Sequence, residues 1–255
     1  MAYLTAYHTD IGIRKNINQD ALLIKTALTQ AGEVGLFVVC DGMGGLSHGE
    51  LASATVIYGL SHWFDNDLRK LLIAQDIHED VIFQQLEETV EKLNDDIVSY
   101  GQKEGVVLGT TLTALLIIDE IFYLVQLGDS RAYAVNNHEV IQLTKDQTFV
   151  AREVERGHLT PEEARNHPKR NILLQCIGAR KEIEVVITKG KIEHGMSYLL
   201  CTDGFYHKLS PNELIDHLQT ESTETAMKQA IQKLSELVKM RQETDNISAV
   251  LLKVV

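Results

Sequence analysis

Short apolar segments joined by very short turns constrain the fold of this chain most. Four runs rich in Val, Ile, Leu, Tyr and Thr follow one another closely, over 110–118, 121–127, 131–135 and 140–143. Connections such as Gly128-Asp129-Ser130 and Asn136-Asn137 are too short for a crossover helix, so neighbouring runs should pair antiparallel. The same composition predicts further strands over 21–26, 35–40, 183–188, 197–201 and 247–254.

Helical periodicity occupies the longer intervals between these strands. Apolar residues recur at helical spacing over 50–64, 80–100 and 224–240, and Pro211 marks the first turn of a shorter helix. The polar segment 149–170 is also predicted to be helical and to lie on the surface, near the functional site that the acidic motifs below indicate. Long helices between meandering strands favour an α+β class, with antiparallel sheets packed together and helices outside.

The charge balance excludes several partners. The chain has 36 Asp and Glu against 24 Lys and Arg, a net charge of -12. Such a surface repels nucleic acid and anionic membranes, so neither is an expected partner. No apolar run approaches the roughly 18 residues of a membrane span, and no secretory signal is visible at the N-terminus. We therefore expect a cytoplasmic protein.

Aspartates stand at the ends of apolar runs. Asp41 follows Val38-Val39-Cys40, Asp203 follows Leu199-Leu200-Cys201-Thr202, and Asp245 precedes the run 247–254. A carboxylate beside a hydrophobic sheet is costly unless it is neutralised. Carboxylates from distant segments suit hard divalent ions such as Mg²⁺ or Mn²⁺. Each of these residues, like Asp129, could alone be a turn residue, but together they favour a metal-assisted hydrolase.

The segment Asp41-Gly42-Met43-Gly44-Gly45 is the densest motif. Glycine allows a backbone carbonyl to approach a cation closely, and Asp41 could bridge two ions. Taken alone, the segment is as often a glycine turn with a capping Asp as it is a metal site. Neither GxxxxGK[ST] nor GxGxxG is present, so the usual nucleotide-binding loops are not indicated.

Eight short motifs, in order along nearly the whole chain, resemble the type 2C metal-dependent serine/threonine protein phosphatases, most closely their bacterial members. Any one motif would be weak, whereas the ordered set is specific. They are Thr9-Asp10-Ile11-Gly12 through Asn18-Gln19-Asp20, Asp41-Gly42-Met43-Gly44-Gly45, Gly109-Thr110-Thr111, Gly128-Asp129-Ser130-Arg131, Leu143-Thr144-Lys145-Asp146, His167-Pro168-Lys169-Arg170-Asn171, Thr202-Asp203-Gly204 and Asp245-Asn246.

The resemblance implies a central antiparallel β-sandwich flanked by α-helices, in four αββα layers. It implies a single phosphatase domain over 1–255, with 149–178 as a flap segment near the site and a candidate for substrate selection. Two Mn²⁺ or Mg²⁺ ions would lie at one end of the sandwich, with a weaker third ion.

The resemblance also assigns the metal ligands. Asp41 would bridge both ions and the Gly42 carbonyl would hold one of them. Asp203 and Asp245 would complete the ligands of the other ion, and Asp129 with Asp203 would form the third-ion site.

Five positions bear on the substrate, the water or the charge near the metals in that family pattern. Asp20 would order metal-bound water. Lys15 stands where relatives have the arginine that grips substrate phosphate, with Arg14 adjacent, so either could bind the phosphoryl group. Gln19 replaces a frequent glutamate. Met43 stands where the animal enzymes have a histidine proposed as general acid, so leaving-group protonation would come from water.

The implied activity is hydrolysis of phosphoserine and phosphothreonine on proteins by a water that bridges two divalent metals. Its partners would be phosphorylated proteins in bacterial signalling, opposite a serine/threonine kinase, and we expect a monomer. Two alternatives stay open. One is a catalytically weak phosphoprotein-binding regulatory module on the same scaffold, motivated by Lys15 and Gln19. The other is a phosphohydrolase for small molecules or nucleotides.

Overall fold

A computed structural model describes residues 3–29, 32–43, 48–74, 78–193, 195–218 and 223–255. The strands are β1 Tyr3–Asp10, β2 Ala21–Thr29, β3 Gly32–Cys40, β4 Leu112–Ile118, β5 Ile121–Leu127, β6 Arg131–Val135, β7 Val140–Gln142, β8 Val186–Lys191, β9 Ser197–Cys201 and β10 Ile247–Val254. The helices are α1 Gly49–Trp63, α2 Arg69–Ala74, α3 Glu79–Glu104, α4 Phe149–Glu155, α5 Pro161–Asn166, α6 Asp203–Tyr206, α7 Pro211–Leu218 and α8 Glu224–Met240.

The strands form two five-stranded antiparallel sheets. One has the order β1-β10-β9-β6-β7 and the other β2-β3-β4-β5-β8. The first and last strands pair along their full lengths, from Tyr3 opposite Val254 to Asp10 opposite Ile247. The chain passes from one sheet to the other in the short turn between β5 and β6, which contains Asp129. The antiparallel pairing predicted across Gly128-Asp129-Ser130 is therefore wrong, because the two strands that this turn joins belong to different sheets.

Strand alternation builds three apolar layers. In β4, Leu115 and Ile117 face the other sheet, while Leu112 and Leu116 face the helices. Successive side chains of a strand point to opposite sides, so a strand that is apolar throughout must be covered on both faces. Every residue of β4 is buried, as this requires.

Helices cover the outer faces of the sandwich. The long helices α1 and α3 share an apolar cluster with β3 and β4, and α8 shares another with β9 and β10. The third cluster lies between the sheets and includes Phe37, Tyr198 and Leu252. These layers confirm the predicted α+β class and its αββα order.

Several sequence predictions differ from the structure. The single helix predicted over 149–170 is wrong: α4 and α5 are separate, because Gly157 has φ 73° and Pro161 begins a new helix. Thr160 caps α5 through a reciprocal pair of hydrogen bonds with Glu163. Strand β1, whose sequence mixes polar and apolar residues, was not predicted. The strand predicted over 183–188 lies three residues later, as β8.

Helix α1 continues into a π-helical turn, Phe64–Leu68, and then into α2, neither of which was predicted. In the part of the chain that the structure describes, no helix is both long enough and apolar enough to cross a membrane.

Candidate functional site

Three of the aspartates lie at one end of the sandwich because strand register brings their strand ends together. Asp41 directly follows Cys40, the last residue of β3, and Asp203 lies two residues after Cys201, the last of β9. Asp245 lies two residues before β10, whose Ala249 pairs with Cys201. Segments far apart in sequence therefore deliver their carboxylates to the same edge of both sheets.

Two further acids join them from the same end. Asp20 precedes Ala21, which pairs with Cys40 across β2 and β3. Asp129 lies in the turn between β5 and β6 and is 7% exposed. The Tyr206 hydroxyl donates to the Asp129 carbonyl oxygen at 3.0 Å and so ties this turn to α6. The structure thus brings all five acids singled out in the sequence together.

The proximity of these acids perturbs their ionisation. Burial, followed by the charges of the other acids, raises the pKa of Asp41 well above its ordinary value. Burial likewise raises the pKa of Asp129 and of Asp203, in each case reinforced by another acid of the group. The pKa of Asp20 rises to about 7, chiefly through burial. Such a cluster is unfavourable unless positive charge is brought to it.

Threonines fix the backbone around the carboxylates. The Asp41 amide donates to Thr111 Oγ1 at 2.9 Å, and the Thr111 amide and Thr110 Oγ1 donate to the Asp41 carbonyl at 2.9 and 3.0 Å. Thr202 Oγ1 donates to Asp20 Oδ2 at 3.0 Å. The sequence placed these threonines inside motifs but assigned them no role, because hydroxyls that orient a neighbour have no pattern of their own.

Two glycines allow the segments to approach one another. A Cβ on Gly42 would lie 2.5 Å from the carbonyl oxygens of Gln19 and Gly49. A Cβ on Gly204 would lie 2.1 Å from the Asn246 carbonyl oxygen. Gly204 therefore lets the start of α6 pack against the Asp245 segment, which holds Asp203 near Asp245. Gly44 and Gly45, which belong to the same motif as Gly42, lie outside the described residues.

Asn246 clamps the loop between β1 and β2. Its side-chain amide donates to the carbonyls of Ile11 and Ile17 at 2.9 and 3.1 Å, and its Oδ1 accepts from the Gln19 amide at 2.9 Å. The side chain is buried, and the clamped loop carries Lys15 and leads into Asp20. This positioning role was missed, since nothing in the sequence indicates three partners that lie over two hundred residues away.

Lys15 and Arg14 have different surroundings. Lys15 Nζ lies 2.7 Å from Asp245 Oδ1, with both side chains partly exposed. Burial lowers the pKa of Lys15, but the hydrogen bond and charge of Asp245 outweigh it, so the pKa is raised overall. Arg14 is exposed, and its guanidinium has no hydrogen bond or ion pair among the described residues. Lys15 is thus the cation in contact with the acid cluster.

His207 is a second basic group that the sequence analysis missed. Its Nδ1 lies 3.7 Å from Asp203 Oδ2, four residues earlier. Asp203 begins α6 and His207 directly follows it, so the two positions are one helical turn apart, a spacing that brings side chains to the same face.

The oxygen atoms present fit a divalent cation. Asp20 Oδ1 and Asp203 Oδ1 are buried with no hydrogen-bond partner among the residues described. Buried unpaired carboxylate oxygens are what Mg²⁺ and Mn²⁺ bind. In the same part of the chain, no three acidic, His or Cys side chains are gathered closely enough to coordinate one ion as they stand. Asp245, in contact with the Lys15 ammonium, would have to exchange that partner for the ion.

The segment 149–178 is attached directly beside this cluster. Ile177 and Thr110 exchange backbone hydrogen bonds of 2.9 and 3.0 Å, next to the Thr111–Asp41 contact. At the same end of the segment, Asn94 of α3 accepts from the Gly178 amide at 2.8 Å. The segment is therefore held at its exit, while α4 and α5 lie between Thr148 and this anchor.

Comparison with known proteins gives a consistent result. Residues 12–244 match the protein phosphatase 2C family. The chain is 33% identical over 253 residues to the serine/threonine protein phosphatase PstP of Mycobacterium tuberculosis, covering 98% of this chain and 45% of PstP. It therefore spans about half the length of that relative.

Solved structures show the same fold. A serine/threonine phosphatase from Staphylococcus aureus superimposes with a TM-score of 0.88 at 28% identity, covering 100% of this chain and 96% of the other. The catalytic domain of PstP in complex with 2 manganese ions gives a TM-score of 0.80 at 30% identity, covering 100% of both chains. The chain belongs to the protein phosphatase 2C family.

Proposed function

We propose that this protein hydrolyses phosphoserine and phosphothreonine in proteins, with two Mn²⁺ or Mg²⁺ ions as cofactors and a weaker third ion. One observation carries the proposal: five carboxylates from five segments converge at one end of the sandwich, with buried oxygens left unpaired. The two manganese ions named for the PstP catalytic domain support the same view of the cofactors.

The proposed ligands are those that the family resemblance implies. Asp41 and the Gly42 carbonyl would hold ions beside β3, and Asp203 with Asp245 would complete the set from the other sheet. Asp129, with Asp203, would hold the third ion. When bound, the pair of cations would acidify a water and neutralise the phosphoryl oxygens during in-line attack.

The other polar groups would position water and substrate. Thr202 fixes Asp20 Oδ2, which leaves Oδ1 to orient the attacking water. Lys15, released from Asp245, would grip the phosphoryl group as a point charge, with Arg14 adjacent as a second cation. The chain offers Met43 at the position where a histidine could act as general acid, so water would protonate the departing alkoxide.

The cellular context is also part of the proposal. We infer that residues 1–255 act as one phosphatase domain and a monomer, with 149–178 as the flap that selects substrates. The protein would act in the cytoplasm, in bacterial signalling, opposite a serine/threonine kinase.

Hydrolysis of p-nitrophenyl phosphate and of a phosphothreonine peptide, with and without Mn²⁺, tests this activity. We expect metal-dependent phosphate release that is lost in Asp41→Asn and Asp203→Asn and kept in Asp96→Asn, an exposed acid on α3. Absence of metal-dependent turnover, or full activity in both site variants, would contradict the proposal. Phosphopeptide binding without phosphate release would support a regulatory module, and faster turnover of nucleotides a small-molecule phosphohydrolase.

A further inference from the structure

A cavity of about 560 Å³ is lined in part by His207, whose Nδ1 lies 3.7 Å from Asp203 of the acid cluster. Its walls come from the start of β6, the end of α6 and the start of α7, together with Arg165 of α5 and Arg241 after α8. Two of the lining residues are close to candidate metal ligands, one in sequence and one in space. Arg131 lies two residues after Asp129, and His207, which contacts Asp203, lies in the wall formed after α6.

The lining of this cavity, which we call the basic cavity, is positive although the protein is acidic. The chain carries a net charge of -12, whereas Glu213 is the one acid among the lining residues that the structure describes. The basic residues of the lining are Arg131, Arg165, His207, Lys208 and Arg241.

Two of the arginines are already neutralised. Arg131 forms a fork with Asp146, with Nε–Oδ1 and Nη2–Oδ2 distances of 2.8 and 2.6 Å, and stacks 3.8 Å above the Tyr206 ring. Arg241 pairs with both carboxylate oxygens of Glu213, at 2.5 and 3.0 Å. These pairs stiffen the walls and leave no net charge of their own.

Of the three remaining basic residues, His207 contacts Asp203, and the other two are free of such contacts. Arg165 and Lys208 are exposed, and neither side chain has an ion pair or hydrogen bond within the described ranges. They approach the cavity from different elements, α5 within the flap segment and the loop after α6. Two unpaired cations on a concave surface attract an anion more strongly than either would on a flat one.

We propose that the basic cavity binds an anionic side chain of the substrate that neighbours the phosphorylated residue. The inference rests on the proposed phosphatase function and adds a sequence preference to it. The bound group would be a carboxylate, or the phosphate of a second phosphorylated residue, since both present oxygens to Arg165 and Lys208. The contact would also offset the repulsion between an acidic substrate and the acidic protein.

Kinetics on three phosphothreonine peptides test the proposal: one with neutral neighbours, one with flanking Asp, and one with a second phosphothreonine. We expect kcat/KM to be about fivefold higher for the anionic peptides, mainly through KM, because each exposed ion pair contributes up to about 1 kcal/mol. The variant Arg165→Gln/Lys208→Gln should lose this preference, and high salt should weaken it in the wild type. Comparison of the two anionic peptides identifies the source of the charge.

The control variant Arg69→Gln/Lys103→Gln removes the same charge from exposed positions in the helical layer on the other sheet and should keep the preference. Turnover of p-nitrophenyl phosphate should be unchanged in both variants. Equal rates on all three peptides in the wild type, or an unchanged preference in Arg165→Gln/Lys208→Gln, would overturn the inference. If wild type does not hydrolyse p-nitrophenyl phosphate, the proposed function fails. Fluorescence anisotropy with the same peptides, labelled, then tests separately whether the basic cavity binds the anionic peptides more tightly than the neutral one.

Discussion

The Lys15–Asp245 contact predicts that Lys15 and a metal ion compete for the same Asp245 carboxylate. Because the Lys15 ammonium lies 2.7 Å from Asp245 Oδ1, it competes with a cation for that oxygen. We expect Lys15→Gln to bind Mn²⁺ about twofold to fivefold more tightly, the range of a partly exposed ion pair, and to have a higher KM for phosphopeptides. Titration calorimetry with Mn²⁺ measures the first effect.

Arg14→Gln is the matched control, since it removes an adjacent positive charge that contacts no described acid. Its Mn²⁺ affinity should change much less. If the two variants bind Mn²⁺ equally, Lys15 does not compete for the ligand. If instead Arg14→Gln carries the larger KM effect, the phosphoryl group is held by Arg14.

Asn246 gives a prediction about positioning. Asn246→Ala removes three hydrogen bonds to the loop that carries Lys15 and should cost about 2–4 kcal/mol of unfolding free energy, because buried partners are left unsatisfied. Asn94→Ala removes an equivalent buried clamp, to Gly178, Arg180 and Lys181. Urea denaturation should show comparable losses in the two variants.

Mn²⁺ affinity should distinguish the Asn246→Ala variant from the Asn94→Ala variant. We expect Asn246→Ala also to weaken Mn²⁺ binding, because Asp245 and Asp20 flank the contacts that are lost, whereas Asn94→Ala should leave it unchanged. Equal Mn²⁺ affinity in wild type and Asn246→Ala would show that the clamp does not position the ligands.

At the residue scale, the sequence identified the acids but not the residues that position them. Asp41, Asp203 and Asp245 stand out because an acid next to an apolar run is unusual. Thr202 and Asn246 do not, because their partners are fixed only when strands from both ends of the chain pair. The contact of Lys15 with Asp245 could not be predicted either, since it depends on how the loop before Asp20 folds back.

At the scale of elements, helix α7 carries a pH-sensitive cap. Glu213 accepts from the Ser210 amide and hydroxyl at 2.9 Å each and pairs with Arg241. The Arg241 hydrogen bond, followed by those from Ser210, lowers the pKa of Glu213 to about 2. Because the folded-state pKa is depressed, the stabilisation is complete above the ordinary pKa of 4.5 and is lost as pH falls toward 2.

Glu213→Gln should therefore destabilise the protein by about 1 kcal/mol near neutral pH, as expected for an exposed pair, and by progressively less as pH falls below 4.5. Urea midpoints of both proteins across that range measure the difference. Glu163→Gln is the control, because Glu163 caps α5 in the same way without an arginine partner among the described residues. A difference between wild type and Glu213→Gln that does not change with pH would contradict the assignment.

Elements with strong periodicity were predicted well from the sequence, and those shaped by tertiary contacts were not. The runs that became β3, β4 and β10 are short and apolar on both faces, a pattern that is typical of buried strands. Strand β1 alternates weakly and is defined by pairing with β10, more than two hundred residues away. The segment 149–170 lacks a strong apolar face, so the helix break at Gly157 could not be predicted from its sequence.

At the scale of the whole molecule, the crowded acids predict opposite effects of one substitution with and without metal. Without metal, Asp41→Asn should raise the melting temperature, because it removes a charge whose pKa burial and neighbouring acids raise. With Mn²⁺ at about 100 times its Kd, wild type should gain about 2.7 kcal/mol, whereas Asp41→Asn should gain much less. Thermal unfolding in chelator and in Mn²⁺ measures both effects.

Asp96→Asn, an exposed acid on α3, should behave as wild type in both conditions. A metal-free Asp41→Asn protein that melts below wild type would show that the carboxylates do not destabilise one another.

The pairing of β1 with β10 has a consequence for the protein as it is synthesised. Asp20 lies near the beginning of the chain, Asp245 lies near its end, and Asn246 joins the two regions. A nascent chain therefore lacks a complete acid cluster until β10 has left the ribosome and closed the first sheet. Translation at roughly 5–20 residues per second therefore separates the synthesis of Asp20 from that of Asp245 by many seconds, and the acid cluster can form only after both have been made.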